Sequence, residues 1–412
     1  MGRPHRHCLG QMRLLSVEPR GARHRRHAPR EMRIANVVLN DFTRDNRVLK
    51  VSQSLAADGH DVTVVALHKA DLELEEQRDG WRVVRTRIRT AALPRGTVFG
   101  VLKMAELALR VVWRWRKVDA WHCNDIEAFV LGWCAQRLNP RLKLVYDCHE
   151  FEAERNAKPA AERKMVAWLE RRMIRKATAV ITVSPSIAEA YRERYAAHGI
   201  PEVHLVRNIP EPQPTQDGQA PDHFRSRFGI SENDFIALYQ GAFTHNRGLE
   251  TALDAMRGLE GTGIHLVLMG YGPLQSLVDA TAEALPHVHV HPAVAYEDVL
   301  EHTRSADVGL VSVKPTCLSY LYCLPNKLFE YLLAGVPVLA NDLPDCRALI
   351  EEFHVGKVVE ADTAEGWRKA LRNMRQENGA QFGPGLTRAA QSLSWQAESN
   401  VLCSLYTRMA KG

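Results

Sequence analysis

At 412 residues, 45% of them hydrophobic and 25% charged, the chain is too long for one ordinary core and suits two globular domains. No run of about 18 apolar residues occurs, which excludes a bilayer-spanning helix and leaves a soluble reading. The net charge of +6 resides in residues 1–31, which hold eight Arg and two Glu; the remainder balances 46 basic against 46 acidic residues, so its charge gives no case for nucleic-acid binding.

The basic leader lacks the hydrophobic region of a secretion signal. It reads as a disordered extension ahead of a natural start at Met32, with a basic arm for anionic lipid or RNA as the alternative. From Met32 the pattern alternates β-rich runs with helical stretches. IANVVLN (34–40) is followed by an amphipathic helix that Gly59 stops, and then by VTVVAL (62–67). Further strands are expected at 83–88, 119–123, 143–148, 179–183 and 203–206. Near-continuous apolar strands separated by helices predict a doubly wound parallel sheet over 32–209.

Two basic amphipathic helices lie within this region, at 102–117 and at 162–176, where Trp168 sits among apolar neighbours. They can rest on an anionic membrane surface or pack an apolar stripe on the sheet with their charges in water; both readings stand. Past two of the strand ends come His122 and Asp125, in WHCND, and His149 and Glu150, in VYDCHE. A lone strand His such as His122 is expected to be a packed residue. His149 is expected to face a cleft, because burying the adjacent His-Glu pair would be costly.

Pro210, Pro212, Pro214 and Pro221 then punctuate a polar linker, 210–224. The alternation restarts with strands at 235–240, 264–269, 287–290, 307–311, 337–340 and 355–359, giving a second α/β domain over 225–394. A last helix places Val401, Leu402, Leu405 and Tyr406 on one face and is expected to return to the first domain as 395–412. Two such halves facing one another create a cleft at the carboxyl ends of their strands. The eight cysteines form no Cys-x-x-Cys pair and read as buried free thiols of a reducing cytoplasm, with no metal implied.

The strongest motif is NKLFEYLLAGVPVLA (326–340). A turn ending in Pro325 leads into a helix whose free N–H groups suit a diphosphate; Asn326 and Leu328 belong to that end, and Lys327 adds a full charge. Glu330, one turn on, can accept from two adjacent hydroxyls of a ribose. In YQGAFTHNRGLETALDAM (239–256) a strand ends at Gly241 and a helix begins near Gly248, with Arg247 at its start. MGYGPL (269–274) and HVHVHPAVAYEDV (287–299) follow.

Taken together these stretches resemble family 4 glycosyltransferases, in the subgroup with a Pro-Asn-Lys-Leu-Phe-Glu-Tyr run. The resemblance implies α/β GT-B architecture, two Rossmann-like doubly wound parallel-sheet domains facing across a cleft. It implies a retaining enzyme that moves a sugar from a nucleotide donor to a glycan or lipid-linked acceptor, as in surface-polysaccharide assembly, in the cytoplasm or at the inner face of its membrane. No cofactor and no metal are implied. Glu330 matches the family's ribose-binding glutamate, and Arg247 stands where the family has a diphosphate-binding Lys. The segment with His291 resembles the one whose backbone reads the donor base. His149 matches a His near the reacting sugar, and Asp125 is implied to bind acceptor hydroxyls.

Three positions depart from the family pattern. Tyr322 stands where a first glutamate faces the donor sugar, and Ala242 stands where an Arg reaches the diphosphate. The Gly-rich loop before the first helix is replaced by Asp45, Asn46 and Arg47, so contact there falls to side chains such as Arg47. Two alternatives follow: a sugar-nucleotide 2-epimerase of the same architecture, and a noncatalytic nucleotide-sugar-binding subunit. A nicotinamide dehydrogenase is disfavoured, since no Gly-x-Gly-x-x-Gly follows the first strand.

Overall fold

The computed structural model describes residues 31–411 except 70, 93, 95–96, 157, 212–221 and 378. The leader ahead of Glu31 and the linker prolines 212, 214 and 221 therefore lie outside the described residues.

Short runs rich in Val, Ile and Ala, screened on both faces by helices, give the first domain its sheet. Its strands are β1 (Arg33–Val37), β2 (Asp61–Leu67), β3 (Glu75–Arg78), β4 (Trp81–Thr86), β5 (Ala120–Asn124), β6 (Lys143–Cys148), β7 (Ala179–Thr182) and β8 (Val203–Leu205). They lie in the order β3-β4-β2-β1-β5-β6-β7-β8. All pairs are parallel except β3 with β4. β3 was not expected from sequence. It is an edge strand of four polar residues, EEQR, so it lacks the apolar run by which the central strands announce themselves.

The second domain carries β9 (Phe235–Ala242), β10 (Ile264–Tyr271), β11 (Val288–His291), β12 (Val308–Val311), β13 (Val338–Ala340) and β14 (Gly356–Val358). These form an all-parallel sheet in the order β11-β10-β9-β12-β13-β14. One continuous apolar core surrounds this sheet, whereas the first domain has a core on each face.

The last helix, Trp395–Lys411, crosses back and buries Trp395, Leu402, Leu405, Tyr406 and Met409 in one of those first-domain cores. Val401 is 40% exposed, so the packed stripe runs along the other four-and-three steps of the helix and not through that residue. The second domain also begins slightly earlier than the composition suggested. Asp222 caps the helix His223–Phe228, and Phe224 is fully buried in the second core. Among the described residues all cysteines are free thiols, with Cys123, Cys148 and Cys346 buried.

Candidate functional site

The two sheets meet with the carboxyl ends of their strands across a cleft of about 710 Å³. From the first domain it is lined by the loop 40–47, by His149 and by Glu150; from the second by Tyr239 to Ala242, Arg247, and the helix start with Asn326, Lys327 and Glu330.

On the second-domain wall, Gly241, next to last in β9, takes φ +117, and a Cβ there would meet only Lys327 Cε, at 3.8 Å. Gly270, beside it on β10, has no such room, since its Cβ would fall 1.9 Å from the Gly241 carbonyl oxygen. Gly248 caps the following helix at φ +73, where a Cβ would strike the Ser312 carbonyl.

The helix Asn326–Leu333 is strongly one-sided: Leu328, Phe329, Tyr331 and Leu332 go to the core, and Gly335 closes it at φ +76. Lys327 is itself buried, with Nζ 3.7 Å from the Tyr239 ring centroid and no hydrogen-bond partner among the described residues. Burial, then repulsion from Arg247, push its ammonium down to about 7 against the pull of Glu330. Arg247 lies 4.8 Å over the Tyr320 ring and has no carboxylate partner among the described residues. Burial raises the Glu330 carboxyl, while the hydrogen bond from Gln240 Nε2 at 2.5 Å and the charges of Lys327 and Lys50 draw it down. Gln240 is oriented in turn by Thr303, whose hydroxyl donates to its carbonyl at 2.8 Å.

The first-domain wall is built differently. Where a glycine-rich loop was absent from the sequence, Asn40 and Asp41 turn the chain with their side chains, Asn40 accepting from the Phe42 amide at 2.8 Å and Asp41 from the Thr43 hydroxyl at 2.7 Å. Phe42 takes φ +55, held by its ring against Trp81. Asp45 then caps the first helix, accepting from the Val48 amide. Arg47 touches the cleft floor, yet its guanidinium is held by Asp147 at 2.7 and 3.0 Å and by the Val206 carbonyl. Burial opposes charge on Asp147, but Arg47 and His122 hold its carboxyl well below the usual range. His122 is wholly buried, between Asp147 and the Tyr406 hydroxyl, each at 3.0 Å.

His149 faces the cleft; its Nε2 lies 3.2 Å from Asn124 Oδ1 and its Nδ1 3.6 Å from Asp125 Oδ1. Asp125 adopts φ +66 at the start of its helix and keeps that oxygen without a hydrogen bond, so it stands behind His149 and off the cleft lining. Glu150 lines the cleft and accepts from Ser319.

The structure thus brings Arg47, His149, Glu150, Gly241, Arg247, Asn326, Lys327 and Glu330 to one cavity. It places Leu328, His291 and Tyr322 elsewhere. The Leu328 side chain is wholly in the core and its amide already donates to the Pro325 carbonyl, because it sits on the apolar face of its helix. His291 ends β11 packed on Phe224, with Nδ1 against its neighbour's carbonyl. Tyr322 packs on the first-domain core and accepts from the Ser184 hydroxyl through its carbonyl, so it joins the domains behind the cleft. Sequence reading missed Gln240, which hides at the end of the apolar run FIALYQ. It also missed Arg44, whose guanidinium reaches the Tyr271 hydroxyl of the opposite domain at 3.2 Å.

Two parallel-sheet α/β domains facing across a cleft, with Lys327, Arg247 and Glu330 on its second-domain wall, are the architecture of the GT-B class. Two family models match the chain: one described as a glycosyl transferase 4-like domain over residues 45–208, the other as glycosyl transferases group 1 over residues 234–377. The chain is a glycosyltransferase of the GT-B type. Among solved structures it is similar to a sucrose-phosphate synthase from Thermosynechococcus elongatus, at 18% identity and a TM-score of 0.75, covering 92% of this chain and 99% of that one. Anabaena HepE in complex with UDP and glucose is similar at 15% identity and a TM-score of 0.69, covering 91% and 99%. WaaG, a glycosyltransferase involved in lipopolysaccharide biosynthesis, is similar at 14% identity and a TM-score of 0.62, covering 90% and 98%. The search of curated proteins returns no significant match.

Proposed function

We propose that the protein transfers a sugar from a nucleotide-diphosphate donor to a hydroxyl acceptor with retention of anomeric configuration. One observation carries this reading. Two cations without carboxylate partners, Lys327 and Arg247, stand over tyrosine rings at a helix start, one turn from a carboxylate. A buried unpaired ammonium is costly, and a diphosphate is the group that relieves it. The solved UDP complexes of HepE, a fold neighbour, agree with such a donor.

The donor diphosphate lies between Lys327, Arg247 and the helix start, and Glu330 accepts from the ribose hydroxyls. As the bond from sugar C1 to the diphosphate oxygen breaks, charge gathers on the leaving oxygen, and these preorganised cations stabilise it without a metal. The acceptor oxygen attacks C1 from the same face and its proton passes to the leaving phosphate. His149, steadied by Asn124 and Asp125, positions the acceptor or the reacting sugar, with Glu150 beside it. The acceptor is a glycan or lipid-linked hydroxyl of surface-polysaccharide assembly, met in the cytoplasm at the inner face of its membrane.

A thermal-shift series with UDP, GDP, ADP and TDP sugars tests the donor assignment, since a ligand that binds only the folded state raises its stability. One base should stand out, and the response should vanish in Lys327→Met. Equal, negligible shifts with all four would sink the reading. Epimer formation from donor alone would favour the 2-epimerase, and binding without turnover the noncatalytic subunit.

A further inference from the structure

Among the described residues, eleven large hydrophobic side chains are exposed, and seven of them fall on three helices of one first-domain layer. These helices, Thr97–Trp115, Asp125–Leu138 and Ala160–Met173, pack side by side on the same face of the sheet. On the first, Leu107, Val111, Val112 and Trp115 turn to the core. Leu102, Leu109 and Trp113 form a stripe on the opposite side, and Trp113 is 66% exposed. Met165 and Trp168 do the same on the third helix, with Trp168 61% exposed. A groove of about 700 Å³, lined by Leu109, Trp113 and Leu138, joins the first two helices.

The first and third of these helices are net positive. Residues 97–117 carry five basic residues against one acidic, and residues 160–176 six against two. Lys164, Arg171, Arg172, Arg175 and Lys176 form no ion pair among the described residues. Two guanidinium groups stand over tryptophan rings of this layer, Arg116 at 3.6 Å from the Trp113 centroid and Arg137 at 4.0 Å from that of the half-buried Trp133. Exposed apolar side chains on helices rich in unpaired cations suit a surface that offers hydrocarbon beneath negative headgroups. A second copy of the same face would set like charge against like charge.

We propose that the outer face of helices Thr97–Trp115 and Ala160–Met173 docks on an anionic lipid bilayer, Trp113 and Trp168 entering the interface and the basic side chains meeting the headgroups. No helix among the described residues is long and apolar enough to cross a membrane, so the contact is peripheral. The docking does not depend on the donor reading above; it depends on that reading only for what it achieves, which is to bring the cleft to a lipid-linked acceptor.

Flotation of the full chain with phosphatidylcholine vesicles, with and without phosphatidylglycerol, tests it. Binding is expected only to the anionic vesicles and should fall with salt. Trp113→Ser/Trp168→Ser and Arg171→Glu/Arg172→Glu should each weaken it at least about tenfold, with melting temperature and nucleotide-sugar response unchanged. Absence of binding by the unaltered protein, or binding unaffected by both double variants, overturns the proposal. So does a dimer in sedimentation that the tryptophan variant dissociates, which would assign the face to a second copy.

Discussion

On the first-domain wall of the cleft, Arg47 gives two N–H groups to Asp147 and a third to the Val206 carbonyl, and both partners are sealed from water. On the facing wall Lys327 is comparably buried, yet its ammonium touches a tyrosine ring and donates to no partner among the described residues. The same physical cost is met in one place and left open in the other. A buried charge that is satisfied holds the fold together, whereas one left unsatisfied is a site waiting for its counter-charge. The two walls should therefore answer mutation in opposite ways.

The largest effect is expected from Arg47→Ala. It takes the guanidinium from the Asp147 carboxylate, which keeps only His122 beside it, and frees the Val206 carbonyl. Removing one member of such a pair costs roughly 3–5 kcal/mol, so chemical denaturation should show a loss of that order. If the first domain melts unchanged, the pair is not structural and the contrast between the walls fails.

Lys327→Met should do the reverse. It removes an unpaired charge from an apolar setting, so the melting temperature should hold or rise. Turnover should fall by about a hundredfold, the upper end of what a charge-assisted contact at about 1.5–3 kcal/mol supplies, because the contact to the leaving group disappears and Arg247 is left alone. Parallel loss of stability and activity would mean that Lys327 serves the fold and not the donor. Arg247→Ala sharpens the point with a smaller effect. Its guanidinium rests on Tyr320 near the surface, and roughly ten- to a hundredfold slower turnover is expected with melting unaltered.

How legible this was differs between the walls for the same reason. Lys327, Glu330 and Arg247 stand in two contiguous stretches, where helix start and spacing fix their placement, and every strand but the polar edge strand β3 is legible from the sequence. The first-domain wall is assembled from residues far apart in sequence. Arg47, His122 and Asp147 come from three elements, and nothing in the local pattern says that Arg47 is bound by Asp147 a hundred residues on. Leu328 reads as part of the donor site from its neighbours, and only the direction of its side chain shows that it faces the core. Tyr322 replaces a glutamate in the family pattern, but its role in joining the domains through Ser184 lies in tertiary contacts.

The smallest expected effect is the most specific. Lys327 in the free protein is pushed down to about 7 by burial and Arg247. The unfolded chain keeps its lysine protonated until about 10.4. Between these values the unfolded state binds more protons, so the Lys327 contribution to stability rises with pH, and Lys327→Met should remove that slope. A bound diphosphate favours the ammonium and raises its pKa, so binding takes up a proton above pH 7. Affinity for the preferred nucleotide sugar should weaken by up to about tenfold for each pH unit above 7, until the pKa of the complex is reached. Calorimetry in buffers of different ionisation enthalpy reads that proton directly. An uptake that survives Lys327→Met would place the titrating group elsewhere and undo the distinction between a charge the fold has satisfied and one it has left for the donor.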